Sequence, residues 1–124
     1  MPFLAGCATT SQPSAGAATQ SVEAKVAERA KARWDAVIKD DMGAAYAYLS
    51  PASREAVSLE KYKSAPRRTG FREAKVEEVK CEAEVCYAKL LVTYDHARMK
   101  GITTPLLESW IVDGGQVWYV YGDR

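Results

Sequence analysis

Between Ser21 and Lys39, apolar residues recur every three or four positions. This spacing predicts one long helix with a single apolar stripe. Ser21 is a suitable N-cap, and Glu23 lies in the first turn, where a negative charge favours the helix dipole. We expect Trp34 to anchor the helix on the rest of the fold. The stripe contains Val22, Val26, Ala30, Trp34, Val37 and Ile38, and the polar face carries Lys25, Glu28, Arg29, Lys31 and Asp35.

Three further start signals predict short helices before residue 66. Asp40 or Asp41 precedes the segment 42–49, in which we expect Tyr46 and Leu49 to be buried. Ser50 followed by a proline is a capping residue with proline at the first helical position. Ser58 caps one more turn.

After residue 70 the segments become rich in Val, Tyr and Leu, which is typical of strands, and within residues 86–94 two sets of side chains alternate. About four such segments follow, and the last two flank Gly114–Gly115, a two-residue turn. Helices followed by strands predict an α+β fold, with the helices on one face of an antiparallel sheet. We expect the inward face of the sheet to carry Val92, Trp110, Val112, Val117 and Tyr119.

The first twenty residues differ in composition from the rest of the chain. Residues 8–20 are almost all small or polar, and such a segment buries too little apolar surface to offset its ordering entropy. We therefore divide the chain into a leader and flexible tether, residues 1–20, and one folded domain, residues 21–124. The chain has 124 residues and a net charge of +1, which disfavours a nucleic-acid binder.

Cys81 and Cys86 bracket the turn between the first two predicted strands. On a hairpin they would face each other at a distance that suits a disulfide, which implies an oxidising compartment. Two free thiols are the alternative. A metal site is disfavoured because there is no second pair of ligands, and we expect no metal or cofactor.

The stretch Leu4-Ala5-Gly6-Cys7 resembles a bacterial lipobox, the cleavage site of lipoprotein signal peptides. This resemblance implies a lipid on Cys7, a tether behind it, and a protein anchored to membrane lipid in the bacterial cell envelope. Only six residues, none charged, precede Cys7, whereas a full signal peptide has a basic start and a longer apolar region. We therefore interpret it as a truncated leader; a chance cysteine is the alternative.

Residues 21–123 resemble the nuclear-transport-factor-2-like superfamily, also called cystatin-like. The residues that carry the likeness are Trp34, the segment 40–62 and the Trp-Tyr strand at 114–123. The resemblance implies a cone-shaped sheet around the long helix, with a pocket at its open end. Some members are isomerases or dehydratases, and many are binding or assembly modules without catalysis. The expected pocket residues are Trp34, Tyr46, Tyr62, Tyr94, Trp110 and Tyr119.

Two other groups of residues are candidates for chemistry. Asp95 and Glu108 are the strand carboxylates to test first as an acid or base, whereas His96, the single histidine, fits a solvated loop. Arg67, Arg68 and Arg72 lie close together and could bind an anionic partner.

These observations favour a non-enzymatic binding or structural module of the cell envelope, in which no residue is assigned a catalytic role. Its partner would be an unknown protein or a small apolar ligand, and the exposed sheet face is the surface through which a homodimer would form. The alternatives are a pocket enzyme of the isomerase or dehydratase type and a binder of a small hydrophobic ligand.

Overall fold

The computed structural model describes residues 21–65 and 70–122, which form four helices and then one four-stranded antiparallel sheet of order β1-β2-β3-β4. The predicted α+β class is confirmed. The helices are α1 (Val22–Ile38), α2 (Met42–Tyr46), α3 (Pro51–Ala56) and α4 (Leu59–Ser64), and the strands are β1 (Phe71–Glu82), β2 (Val85–His96), β3 (Met99–Asp113) and β4 (Gln116–Tyr119).

Each helix begins at a predicted capping residue. The side-chain oxygen of each cap accepts a hydrogen bond from the backbone N–H three residues on, which satisfies a donor that the first turn leaves unpaired. Of the two aspartates before α2, Asp41 is the cap, and Asp40 adopts a left-handed φ of 62°. The four caps are Ser21, Asp41, Ser50 and Ser58.

The helices lie on one face of the sheet, and their apolar side chains form the core with the inward face. Val26, Ala30 and Trp34 of α1 are buried there as predicted. Val22, the first residue of the predicted stripe, is exposed instead, because it lies at the end of the helix. Of the predicted inward residues, Val112 is half-buried against the core, and the others are buried: Val92, Trp110, Val117 and Tyr119.

The polar face of α1 is less solvated than its pattern predicts. Arg29 is half-buried, donates from Nε to the backbone oxygen of Val117 at 3.0 Å, and lies over the rings of Tyr48 and Trp118. Arg29 thus belongs to the polar face without being fully solvated. Long arginine side chains cover apolar surface readily, and here one also joins α1 to β4.

The segment after α2 pairs with β4, the last strand of the sheet. Leu49 and Tyr119 form a parallel bridge, with hydrogen bonds from Ser50 N to Tyr119 O at 2.9 Å and from Tyr119 N to Tyr48 O at 2.8 Å. At the other end of β4, Gly114 and Gly115 have φ of 63° and 79°, as the predicted tight turn requires. The helical half is thus joined to the last strand of the sheet.

Cys81 and Cys86 face each other across the β1–β2 hairpin. They are direct cross-strand partners, and their sulfur atoms lie at bonding distance, 2.08 Å apart. The geometry agrees with the predicted disulfide. Across residues 21–65 and 70–122, the fold contains no helix with the length and apolar character needed to cross a bilayer.

Candidate functional site

A cavity of about 460 Å³ lies between the helices and the inward face of the sheet. This volume falls in the range of small-molecule sites. Most of the lining is apolar or aromatic, and hydroxyl groups are interspersed. Six rings line it, those of Trp34, Tyr62, Phe71, Tyr94, Tyr119 and Tyr121. The other lining residues include Val37, Met42, Val92, Thr104, Leu106, Glu108 and Arg33.

A buried ion pair also lines the cavity. Arg33 of α1 donates from Nη2 to Oε2 of Glu108 on β3 at 2.5 Å, and the two side chains are only 5% and 3% exposed. A lone buried charge is strongly disfavoured, so each residue requires the other. The pair thereby joins the long helix to the centre of the sheet.

Two indole groups complete the surroundings of the Glu108 carboxylate. Trp34 donates from Nε1 to Oε2 at 2.7 Å, and Trp110 donates from Nε1 to Oε1 at 3.3 Å. Together with Arg33, three donors converge on this carboxylate, and each oxygen accepts at least one hydrogen bond. A general base needs a free lone pair directed at its substrate. Glu108 is arranged as a structural acceptor instead.

The guanidinium of Arg33 is held from several sides. Its central carbon lies 3.8 Å from the centroid of the Tyr119 ring and 5.4 Å from that of Trp34. Burial by itself lowers the pKa of Arg33, but Glu108, Tyr119 and Tyr62 outweigh it, and the pKa is raised. Arg33 is therefore a permanent cation, and within the described part of the chain its Nε has no hydrogen-bond partner.

Tyr62 of α4 brings a hydroxyl group to the cavity. Burial raises the pKa of Tyr62, and the nearby charge of Arg33 lowers it only in part. The hydroxyl therefore keeps its proton at neutral pH. Its ring contacts those of Tyr46 and Tyr121, at centroid distances of 5.4 and 5.1 Å.

Four of the six predicted pocket residues line the cavity: Trp34, Tyr62, Tyr94 and Tyr119. The other two do not. Tyr46 is half-buried among the short helices, where its single hydroxyl proton is shared between the backbone oxygens of Val57 at 2.8 Å and Arg54 at 3.1 Å. Trp110 is fully buried in the core and reaches the site through its hydrogen bond to Glu108 and its ring contact with Tyr119.

The other strand carboxylate, Asp95, lies outside the cavity near the end of β2. Its Oδ1 accepts from Gly101 N at 2.8 Å and lies 3.3 Å from Nη1 of Arg72. The Gly101 hydrogen bond, with the charges of Arg72 and Lys100, lowers the pKa of Asp95. His96 is exposed at the end of β2. Asp95 is thus engaged by Arg72 of β1 and Gly101 of β3.

The predicted anion-binding arginines are only partly described. Arg72 is exposed and contacts Asp95, whereas Arg67 and Arg68 lie outside the described residues, as does Cys7. No group of three or more potential metal ligands among His, Cys, Asp and Glu occurs within residues 21–65 and 70–122. The cavity is therefore the best-defined candidate site.

Sequence reasoning missed Arg33, although its position contained a signal. Val26, Ala30, Arg33 and Val37 follow the three- and four-residue spacing of the buried stripe. A charged residue on such a stripe is rarely buried without a partner. The pattern could therefore have indicated a buried ion pair, although not which acid completes it.

Comparison with known proteins supports the fold alone. No protein-family model matches the chain, and no curated protein matches it. Among solved structures, the chain is similar to the solution structure of a SEC-C motif containing protein from Rhodopseudomonas palustris, with a TM-score of 0.62. The sequences are 10% identical, and the match covers 77% of this chain and 75% of the other. At this identity, shared architecture does not indicate shared activity.

Proposed function

We propose that this chain is a non-enzymatic binding domain of the bacterial cell envelope, and that its cavity holds a small, largely apolar ligand. The observation that carries the proposal is the combination of an aromatic cavity of about 460 Å³ with a carboxylate whose oxygens already accept three hydrogen bonds. The cavity offers room and apolar surface, but its only described acid is already engaged.

A pocket enzyme is the weaker alternative. Isomerases and dehydratases move protons, so they need an acid or base that can reach the substrate. Glu108 is bound by Arg33 and two indoles, and Asp95 and His96 do not line the cavity. The described lining residues thus favour binding over proton transfer.

The envelope location is proposed on two separate features. Leu4-Ala5-Gly6-Cys7 resembles a lipobox, and Cys81 and Cys86 lie at disulfide distance on neighbouring strands. Disulfides persist in oxidising compartments such as the bacterial periplasm. A lipid on Cys7 and a disulfide in the β1–β2 hairpin each imply that the domain lies outside the cytoplasm, so the two features agree on its location.

Binding can be tested with N-phenyl-1-naphthylamine, an uncharged dye whose fluorescence rises in apolar sites. We expect saturable binding at one site per chain. Leu106 lines the cavity, so Leu106→Trp should fill part of it and weaken binding by about tenfold or more. Leu91, paired with Pro105, lies on the opposite face of the sheet, so Leu91→Trp is the matched control and should leave the affinity unchanged.

Circular dichroism should first show that both variants are folded. Absence of saturable binding to the unmodified protein would contradict the proposal. An equal loss of affinity in both variants would also contradict it, since the affinity for the dye would then not depend on the free volume of the cavity.

A further inference from the structure

The described residues that line the cavity have a formal charge of zero. Arg33 and Glu108 are the only charged side chains among them, and they neutralise each other within the wall. The raised pKa of Tyr62 leaves that tyrosine uncharged at neutral pH. A ligand in this cavity thus meets hydroxyl groups, aromatic rings and one matched ion pair, but no unmatched charge.

This neutrality has a consequence for ligand charge. A buried arginine usually suggests an anionic ligand, because guanidinium groups bind carboxylates and phosphates. Here Glu108 already occupies that role for Arg33. An incoming anion or cation would lose its hydration, and the matched pair offers no net charge to compensate for that loss, because the attraction of one partner is offset by the repulsion of the other.

The aromatic rings indicate the shape of the ligand. Trp34 and Phe71 meet edge to face, with centroids 5.1 Å apart and an interplanar angle of 83°, and Tyr62 and Tyr121 meet at 71°. Rings that meet at steep angles present both faces and edges to the cavity. A ring of the ligand can stack on such a face or meet such an edge. The hydroxyl groups of Tyr62 and Thr104 offer polar contacts to an alcohol or carbonyl.

We propose that the cavity selects an uncharged, ring-containing molecule, and that the Arg33–Glu108 ion pair excludes charged analogues. This inference rests on the proposed binding function and adds the charge and shape of the ligand. It makes the ion pair a determinant of specificity as well as of stability.

Three naphthalene probes of similar size test the proposal: 2-naphthalenemethanol, which is neutral, 2-naphthoate, an anion, and 2-naphthylmethylammonium, a cation. Their affinities for the unmodified protein are measured at pH 7 by calorimetry or by chemical-shift titration. We expect the dissociation constant of the neutral probe to be lower than that of either ion by about tenfold or more. Equal or tighter binding of either ion would overturn the inference while leaving the cavity a binding site.

The variant Glu108→Gln tests the role of the ion pair directly. It removes one charge and retains one oxygen, which can accept from Trp34 or from Trp110, so Arg33 remains as an unmatched cation facing the cavity. We expect 2-naphthoate to gain about tenfold or more in affinity relative to 2-naphthalenemethanol. The double variant Arg33→Gln/Glu108→Gln is the control: its cavity is neutral again and should again prefer the neutral probe.

The outcomes separate this inference from the proposed function. An unchanged preference in a folded Glu108→Gln variant overturns the inference, because the ion pair then does not determine selectivity. If that variant does not fold, the relative affinities of the three probes for the unmodified protein test the inference. If neither the naphthalene probes nor N-phenyl-1-naphthylamine bind, both the proposed function and the inference are wrong.

Discussion

Arg33 is the residue that most changes the interpretation of this chain. It lies within the apolar stripe of α1 and is buried, and its partner Glu108 lies 75 positions away in the sequence. Burying a charge is unfavourable unless the partner and its hydrogen bonds are in place. Since Trp34 and Trp110 also donate to Glu108, the pair belongs to a larger polar network within an otherwise apolar interior.

Removing the cation should therefore be strongly destabilising. Arg33→Met retains much of the apolar stem but leaves Glu108 as an uncompensated buried charge, so we expect unfolding free energy to fall by about 3 kcal/mol. Urea denaturation followed by Trp fluorescence measures the change.

The control is Lys31→Met on the same helix. It breaks the exposed ion pair between Lys31 and Asp35, whose side chains are 55% and 47% accessible, respectively. Exposed pairs contribute little, and we expect a change of no more than about 0.5 kcal/mol. Similar losses in the two variants would show that burial does not strengthen the Arg33–Glu108 pair.

The β1–β2 hairpin is the element whose arrangement was most predictable. Residues typical of strands indicated both arms, alternation was visible in the second, and Cys81 and Cys86 indicated where the arms meet. The observed register pairs these cysteines directly, and irregularities occur between Phe71 and Glu73 and between Val76 and Glu78. Alternation identifies the faces of a strand, whereas an extra residue in one strand changes the register locally without a clear sequence signal.

We expect Cys81→Ser to destabilise the domain. The cross-link closes a short loop, since the cysteines are 5 positions apart, and the chain-entropy account predicts a loss of about 2 kcal/mol. Thermal melting without reductant measures it. A reductant should lower the melting temperature of the unmodified protein but not that of Cys81→Ser/Cys86→Ser.

Identical melting of the unmodified protein and the single variant, together with titration of free thiols at positions 81 and 86, would contradict the disulfide. Such a result would also remove one of the two features on which the envelope location is proposed.

At the scale of the whole molecule, the cavity forms because the helices and the sheet are brought together at several points. Arg33 joins α1 to β3, and Arg29 joins α1 to β4. Leu49, in the segment after α2, forms a parallel bridge with Tyr119 of β4. The face of the sheet opposite the helices has exposed apolar side chains, among them Leu107, which is 66% accessible. The homodimer through this face stays a prediction.

The lipid anchor is a prediction about the complete molecule, because Cys7 lies outside the described residues. Expressed in bacteria behind a full lipoprotein signal peptide, the chain should incorporate labelled palmitate and fractionate with membranes. Cys7→Ser in the same expression plasmid should remain unlabelled. Equal labelling of the two proteins, or none in either, would contradict attachment at Cys7.

The sequence by itself determined the local structure: the four helix caps, the tight glycine turn, the α+β class and the facing cysteines. These features depend on neighbouring residues and on periods of about 3.6 and 2 residues, which can be recognised within a short segment of the sequence. Only the tertiary structure decided that Arg33 pairs with Glu108, that Tyr46 and Trp110 lie away from the cavity, and that the cavity has no net charge among its described residues. Those outcomes depend on contacts between residues far apart in the chain, and burial strengthens such contacts only after the fold has excluded water.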